Sequence, residues 1–149
     1  MGAPRFWYQP KGLFSTLLAP LGWLYALGTA QRLKGASYRA TVPVICIGNI
    51  NVGGTGKTPT TIALAQKLIE MGHQPHVVSR GYGGKLEGPV QVVEREHSAE
   101  DVGDEPLLIA AFTPTWIAKD RAAGVKAAEA AGAGIILLDD GFQNPAVHK

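Results

Sequence analysis

The sequence predicts an α/β fold, a mostly parallel sheet flanked by helices and preceded by an amphipathic segment. Two apolar runs carry that expectation. Val44-Ile45-Cys46-Ile47 is a strand-like run that leads into a glycine-rich turn and then a helical pattern. Gly134 to Asp140 reads Gly-Ile-Ile-Leu-Leu-Asp-Asp, the continuous apolar run of a strand buried on both faces, with carboxylates at its carboxyl end. Helix-like and strand-like stretches lie between them. A chain of 149 residues with 46% apolar content is long enough for one real core. The expected division is residues 1–40 as a membrane-associating segment and 41–149 as the globular core.

Charge is unevenly placed. Residues 1–69 contain seven lysines or arginines and no acid, whereas all 12 acids lie from Glu70 onward. That asymmetry points the first third towards something anionic. Gly12 to Ala30 is uncharged. Pro20 and several Gly, Ser and Thr residues dilute it below an ordinary membrane span. A signal peptide, with Arg5 and Lys11 as its basic end, is the least favoured of three readings. Leu13, Leu17, Leu21, Leu24 and Leu27 instead form one helical stripe, with Phe6, Trp7, Tyr8, Trp23 and Tyr25 suited to a headgroup boundary and Arg32, Lys34 and Arg39 following. An interfacial helix on an anionic membrane surface is the leading expectation; a helix packed on its own domain is the alternative.

The segment Val52-Gly53-Gly54-Thr55-Gly56-Lys57-Thr58 follows the first strand and opens the first helical pattern, expected from Pro59. That order gives a P-loop: glycines admit backbone N–H groups close to phosphate oxygens, and the helix N-terminus adds its positive dipole end. Val52, Gly53, Gly54, Thr55 and Gly56 would cradle the nucleotide, Lys57 would reach the β- and γ-phosphates, and Thr58 would ligate Mg²⁺. The usual first glycine of the motif is replaced by Asn51, which tolerates left-handed geometry. Ile62, Ala65, Leu68 and Ile69 continue the helix, and Gly72 should end it.

Further along, His76 to Ser79 reads as a strand, Arg80 to Lys85 as a basic glycine-rich loop, and Pro89 to Val93 as another strand. Asp104 and Glu105 precede an apolar helix, Leu107 to Ala111. Asp104 reads either as a helix cap or as the carboxylate that takes a proton from an attacking hydroxyl, and spacing does not separate these. Thr115 to Ala118 is strand-like, and Asp120 to Ala131 an alanine-rich helix. Asp139 and Asp140 at the end of the last strand are expected to hold Mg²⁺, as in a Walker B strand, because burying both without a cation would be costly. The lone Cys46 reads as a small core hydrophobe and excludes a disulfide framework. The four histidines make no zinc spacing.

The motif set resembles the tetraacyldisaccharide 4′-kinase family, the lipid A 4′-kinases of Gram-negative bacteria. The residues that carry the resemblance are the aromatic and leucine-rich N-terminus, Gly48-Asn49, Val52 to Pro59, Ser79-Arg80-Gly81-Tyr82-Gly83, Gly103-Asp104-Glu105-Pro106, Asp120-Arg121 and Asp139-Asp140-Gly141-Phe142-Gln143. The resemblance implies ATP-dependent phosphorylation of the 4′-hydroxyl of a tetraacyldisaccharide 1-phosphate. It further implies peripheral or monotopic attachment to the cytoplasmic face of the bacterial inner membrane and no nucleic-acid partner. It makes Asp104 the catalytic base with Glu105 beside it and Arg121 a phosphate or transition-state contact. Gln143 joins the nucleotide and Mg²⁺ environment. Asn144 stands where the family usually has histidine. Family chains continue well past 149 residues, so the chain reads as an N-terminal fragment that is inactive alone. A rival class is a membrane-associated P-loop ATPase acting as a nucleotide switch. It is disfavoured because Val52 stands where such proteins carry a first lysine.

Overall fold

The structure is a computed structural model that describes residues 16, 18–23, 37–48, 56–139 and 146–148. The chain forms two compact units, Met1–Gly35 and Ala36–Lys149. In the first, Thr16 and residues 18–23 are helical, and Leu18, Leu21 and Trp23 are exposed. The remaining leucines of the expected stripe lie outside the described residues. No helix among the described residues is long and apolar enough to cross a membrane.

The second unit holds a five-stranded sheet. Its strands are β1 (Val44–Ile47), β2 (Pro75–Ser79), β3 (Val90–Gln91), β4 (Thr115–Ile117) and β5 (Ile135–Asp139), and its helices are α1 (Lys57–Glu70), α2 (Ala99–Val102), α3 (Asp104–Ala110) and α4 (Arg121–Ala130). The strand order is β1-β5-β2-β4-β3. The first four pair in parallel, with Val44 beside Ile136, Val77 beside Leu137 and Val78 beside Trp116. Strand β3 closes the edge antiparallel to β4 and is only two residues long, shorter than the stretch expected from Pro89 to Val93.

Strand alternation sorts the core into two layers. Val77, Ile135 and Leu137 pack with Ala65 and Leu68 of α1 and Ile109 of α3. Val78, Ile136 and Leu138 pack on the other face with Val125 and Ala128 of α4. Cys46 is half-buried against that second cluster, consistent with its reading as a core hydrophobe. Every residue of β2 and β5 is buried, and Ile135 to Leu138 of β5 accordingly run apolar without a break.

Helix ends follow local chemistry. The helix α1 opens at Lys57, two residues before the expected Pro59, because Gly56 takes the N-cap position at φ 78°, which a Cβ would strain. Thr60 Oγ1 and Thr61 Oγ1 donate back to the carbonyls of Gly56 and Lys57, at 2.8 and 3.0 Å. Met71 is the C-cap and Gly72 follows at φ 83°, as the sequence predicts. Asp120 is the N-cap of α4 rather than its first residue, accepting from Ala122 N at 2.9 Å and Ala123 N at 3.3 Å. Residues 38–41 are clasped to the far end of α4. Glu129 accepts from Tyr38 Oη, Thr41 N and Thr41 Oγ1, each at 2.6 Å. Burial opposes ionisation of Glu129, but the bonds from Thr41 and Tyr38 outweigh it and hold its pKa below the ordinary value.

Helix α4 approaches the sheet closely because Gly124 has no side chain. A Cβ there would lie 2.7 Å from Ala118 Cβ and 2.8 Å from Val78 Cγ1. Two effects oppose each other in Gly124→Ala. Helix propensity favours alanine by about 1 kcal/mol, while overpacking a fixed core costs roughly 1–3 kcal/mol. Both obstructing carbons are in the packed core, so overpacking wins. Gly124→Ala is expected to lower stability by on the order of 1 kcal/mol, read as a lower urea midpoint at unchanged slope; a raised midpoint contradicts the close approach.

Candidate active site

The carboxyl ends of β2 and β5 lie side by side. Val78 is level with Leu138, so Ser79 and Asp139 terminate neighbouring strands together. Asp139 shares the sheet face of Ile135 and Leu137, the face covered by α1. Lys57 and Thr58 open that helix, with Lys57 half-buried and Thr58 buried.

Asp139 is 2% exposed. Ser79 Oγ donates to its Oδ2 at 3.3 Å, and Arg121 Nη2 donates to its backbone oxygen at 2.8 Å. Its Oδ1 has no hydrogen-bond partner among the described residues. Burial raises the Asp139 pKa above its ordinary value, and the charge of Glu105 raises it further. The Ser79 hydroxyl and the charges of Lys57 and Arg121 pull the other way without winning. A buried carboxylate with one uncommitted oxygen, held in its charged form only against its surroundings, suits a hard cation. Thr58, buried at the start of the helix that covers this face, would add a second oxygen donor, and oxygen donors suit a hard cation such as Mg²⁺ better than a soft metal. No group of three or more His, Cys, Asp or Glu side chains arranged for a metal occurs among the described residues.

The other expected site residues fall as follows. Asp104 and Glu105 are the first two residues of α3, exposed, with Gly103 as N-cap. Both carboxylates stand in the first turn of α3, where negative charge favours the helix dipole. Arg121 is 3% exposed and anchored to the main chain at the end of β5. Val52, Gly53, Gly54, Thr55, Asp140 and Gln143 lie outside the described residues. Tyr82, in the basic loop after β2, is 91% exposed. Sequence reading gave no role to Ser79; its polar side chain at the end of an apolar strand was the available signal. A cavity of about 310 Å³ lies at the opposite, amino end of β2, lined by Pro75, His76, Thr113 and Pro114 among others. It is remote from Asp139.

A parallel sheet with a Gly-Lys-Thr helix start beside a strand-end aspartate defines a P-loop α/β protein of the kinase type. Residues 14–149 match the family model for tetraacyldisaccharide-1-P 4′-kinase. The chain belongs to that family. It is 64% identical over 148 residues to the tetraacyldisaccharide 4′-kinase of Jannaschia sp. (strain CCS1), a match covering 99% of this chain and 45% of that protein. It is 55% identical over 149 residues to the protein of the same name from Nitrobacter hamburgensis, covering 100% of this chain and 44% of the relative. Among solved structures it is similar to LpxK from Aquifex aeolicus, an "apo" form in complex with ATP, at TM-score 0.72 and 32% identity. That match covers 90% of this chain and 46% of the other. The chain thus spans less than half the length of the curated relatives it matches.

The electrostatics of Asp139 set a sign. Its folded-state pKa is raised, so the folded chain binds more protons than the unfolded chain from the ordinary value of 3.8 upward. Stability therefore falls as pH rises through that window, and at neutral pH the charged group costs stability. Asp139→Asn is expected to melt at or above the unaltered chain in metal-free buffer at neutral pH, with the advantage shrinking as pH falls towards 3.8. Differential scanning calorimetry checks this; a clear loss of stability at neutral pH means that Asp139 is held mainly as a partner of Lys57 and Arg121.

Proposed function

We propose that the chain carries the nucleotide-binding core of an ATP-dependent kinase acting on the 4′-hydroxyl of a tetraacyldisaccharide 1-phosphate, a lipid A precursor. The observation that carries this reading is the buried Asp139 with an uncommitted oxygen, on the sheet face where Lys57 and Thr58 open α1. The named relatives supply the acceptor, and the Aquifex neighbour supplies the nucleotide.

In this reading Gly56 and the loop from Val52 to Thr55 present backbone N–H groups to the phosphates, and Lys57 stabilises charge on the transferring γ-phosphoryl. Thr58 and Asp139 would hold Mg²⁺, and Asp140 and Gln143 would join them there. When bound, the ion neutralises charge on the β- and γ-phosphate oxygens. Asp104, exposed at the start of α3, accepts the proton of the 4′-hydroxyl. The hydroxyl oxygen forms its bond to the γ-phosphorus as the bond to the bridging oxygen breaks, releasing ADP. Glu105 keeps the surroundings of Asp139 negative in the absence of a cation. Arg121 keeps a positive charge beneath the end of β5.

The transfer assay joins the chain to the part of the Jannaschia relative that follows the shared stretch. Lys57→Ala in this extended chain is expected to remove about 3–4 kcal/mol of transition-state stabilisation, on the scale of one preorganised donor. Asp104→Asn is expected to lower kcat with ATP affinity nearly intact, since the base acts on the acceptor. Transfer unchanged within about tenfold by Lys57→Ala sinks the P-loop assignment. ATP turnover without transfer to the disaccharide favours the nucleotide-switch alternative.

We further propose that residues 1–40 attach the protein to the cytoplasmic face of the inner membrane through an anionic surface. The exposed Leu18, Leu21 and Trp23 and the acid-free first 69 residues support this. Deleting residues 1–30 is expected to weaken vesicle binding, most on anionic lipid, where each basic residue near the surface contributes roughly 1 kcal/mol. Equal partitioning of intact and shortened chains rejects the attachment.

A further inference from the structure

We propose that Ser79 is a positioning residue for the cation site: its hydroxyl fixes one oxygen of Asp139 so that the other is presented to the metal. The inference rests on the Mg²⁺-dependent kinase reading above and adds a residue to which that reading gives no task.

Ser79 ends β2 as Asp139 ends β5, and the register of the two parallel strands brings them level. Both are buried, at 5% and 2% exposure. A hydroxyl at a buried strand position costs free energy unless it has a partner, and serine is a poorer strand former than the valines before it. A residue that breaks the local rule at the mouth of a site is where a functional demand is expected. Here the partner is Asp139 Oδ2, at 3.3 Å.

The two oxygens of Asp139 are therefore inequivalent. Oδ2 is tied to the neighbouring strand, while Oδ1 is buried and uncommitted among the described residues. The main chain is fixed separately, through Arg121 Nη2 to the Asp139 carbonyl. With the backbone held from one side, the remaining freedom is rotation of the carboxylate, and the Ser79 bond opposes that rotation. At 3.3 Å the bond is longer than a strong charge-assisted one. Its contribution is direction more than strength. Hydrogen bonds to metal-binding carboxylates from outside the coordination sphere act in this way.

The test compares the extended chain unaltered, as Ser79→Ala and as Ser79→Thr. Mn²⁺ serves as the probe, and free Mn²⁺ is measured by electron paramagnetic resonance in the presence of ADP. ADP affinity in EDTA and the melting temperature are recorded alongside. Ser79→Ala is expected to weaken Mn²⁺ binding by roughly tenfold or more while metal-free ADP binding stays as it was. Ser79→Thr, which keeps the hydroxyl, should restore most of the Mn²⁺ affinity. Equal Mn²⁺ affinity in the unaltered and Ser79→Ala chains overturns the proposal and leaves the kinase reading standing. So does an equal loss of metal-free ADP binding, which would mark Ser79 as packing alone, or a Ser79→Thr chain that melts normally yet binds Mn²⁺ no better than Ser79→Ala. Failure of the unaltered chain to bind Mn²⁺ with ADP overturns both readings.

Discussion

Burial of β5 on both faces is the constraint from which the rest of the second unit follows. The strand lies between β1 and β2, and all five of its residues are buried. Its alternating side chains must meet helices on both sides, so α1 and α3 cover Ile135 and Leu137 while α4 covers Ile136 and Leu138. The same alternation then carries one step too far for comfort. The fifth side chain on that pattern is Asp139, driven by register to the α1 face, where water no longer solvates it. Fold and site are thus one consequence of a single apolar run that ends in a carboxylate.

Such an arrangement trades stability for readiness. Lys57 and Arg121 offset part of the cost of the buried charge, yet burial and Glu105 outweigh them. A site already balanced would gain little from a cation. An imbalance of this sign would give a divalent ion something to neutralise.

The parts of this architecture legible in the sequence are those written in local chemistry. The run Ile135–Leu138 announces a doubly buried strand, and Gly56-Lys57-Thr58 a helix start that faces phosphate. Gly72 marks the helix end because the backbone there needs a positive φ. Relationships between distant residues were not legible. Ser79 and Asp139 are 60 positions apart, and only the strand order makes them neighbours. Nor does spacing show that the start of α4 lies close enough to the end of β5 for the Arg121 guanidinium to reach the Asp139 carbonyl. The short antiparallel β3 is likewise set by pairing with β4 and not by its own apolar residues.

The pairing of β1 with β5 also bears on how the chain acquires its form as it leaves the ribosome. Val44 finds Ile136, its neighbour in the sheet, only 92 positions later in the chain. At ordinary synthesis rates that interval lasts on the order of 10 s. Throughout it, β1 has no partner strand, and β2, once made, lacks both of its partners until β4 follows and then still lacks β5. Of the five strands, β5 is made last, and it enters between two made long before it. Until it arrives, the newborn chain carries waiting strand edges on β1 and β2 that a chaperone is well suited to cover.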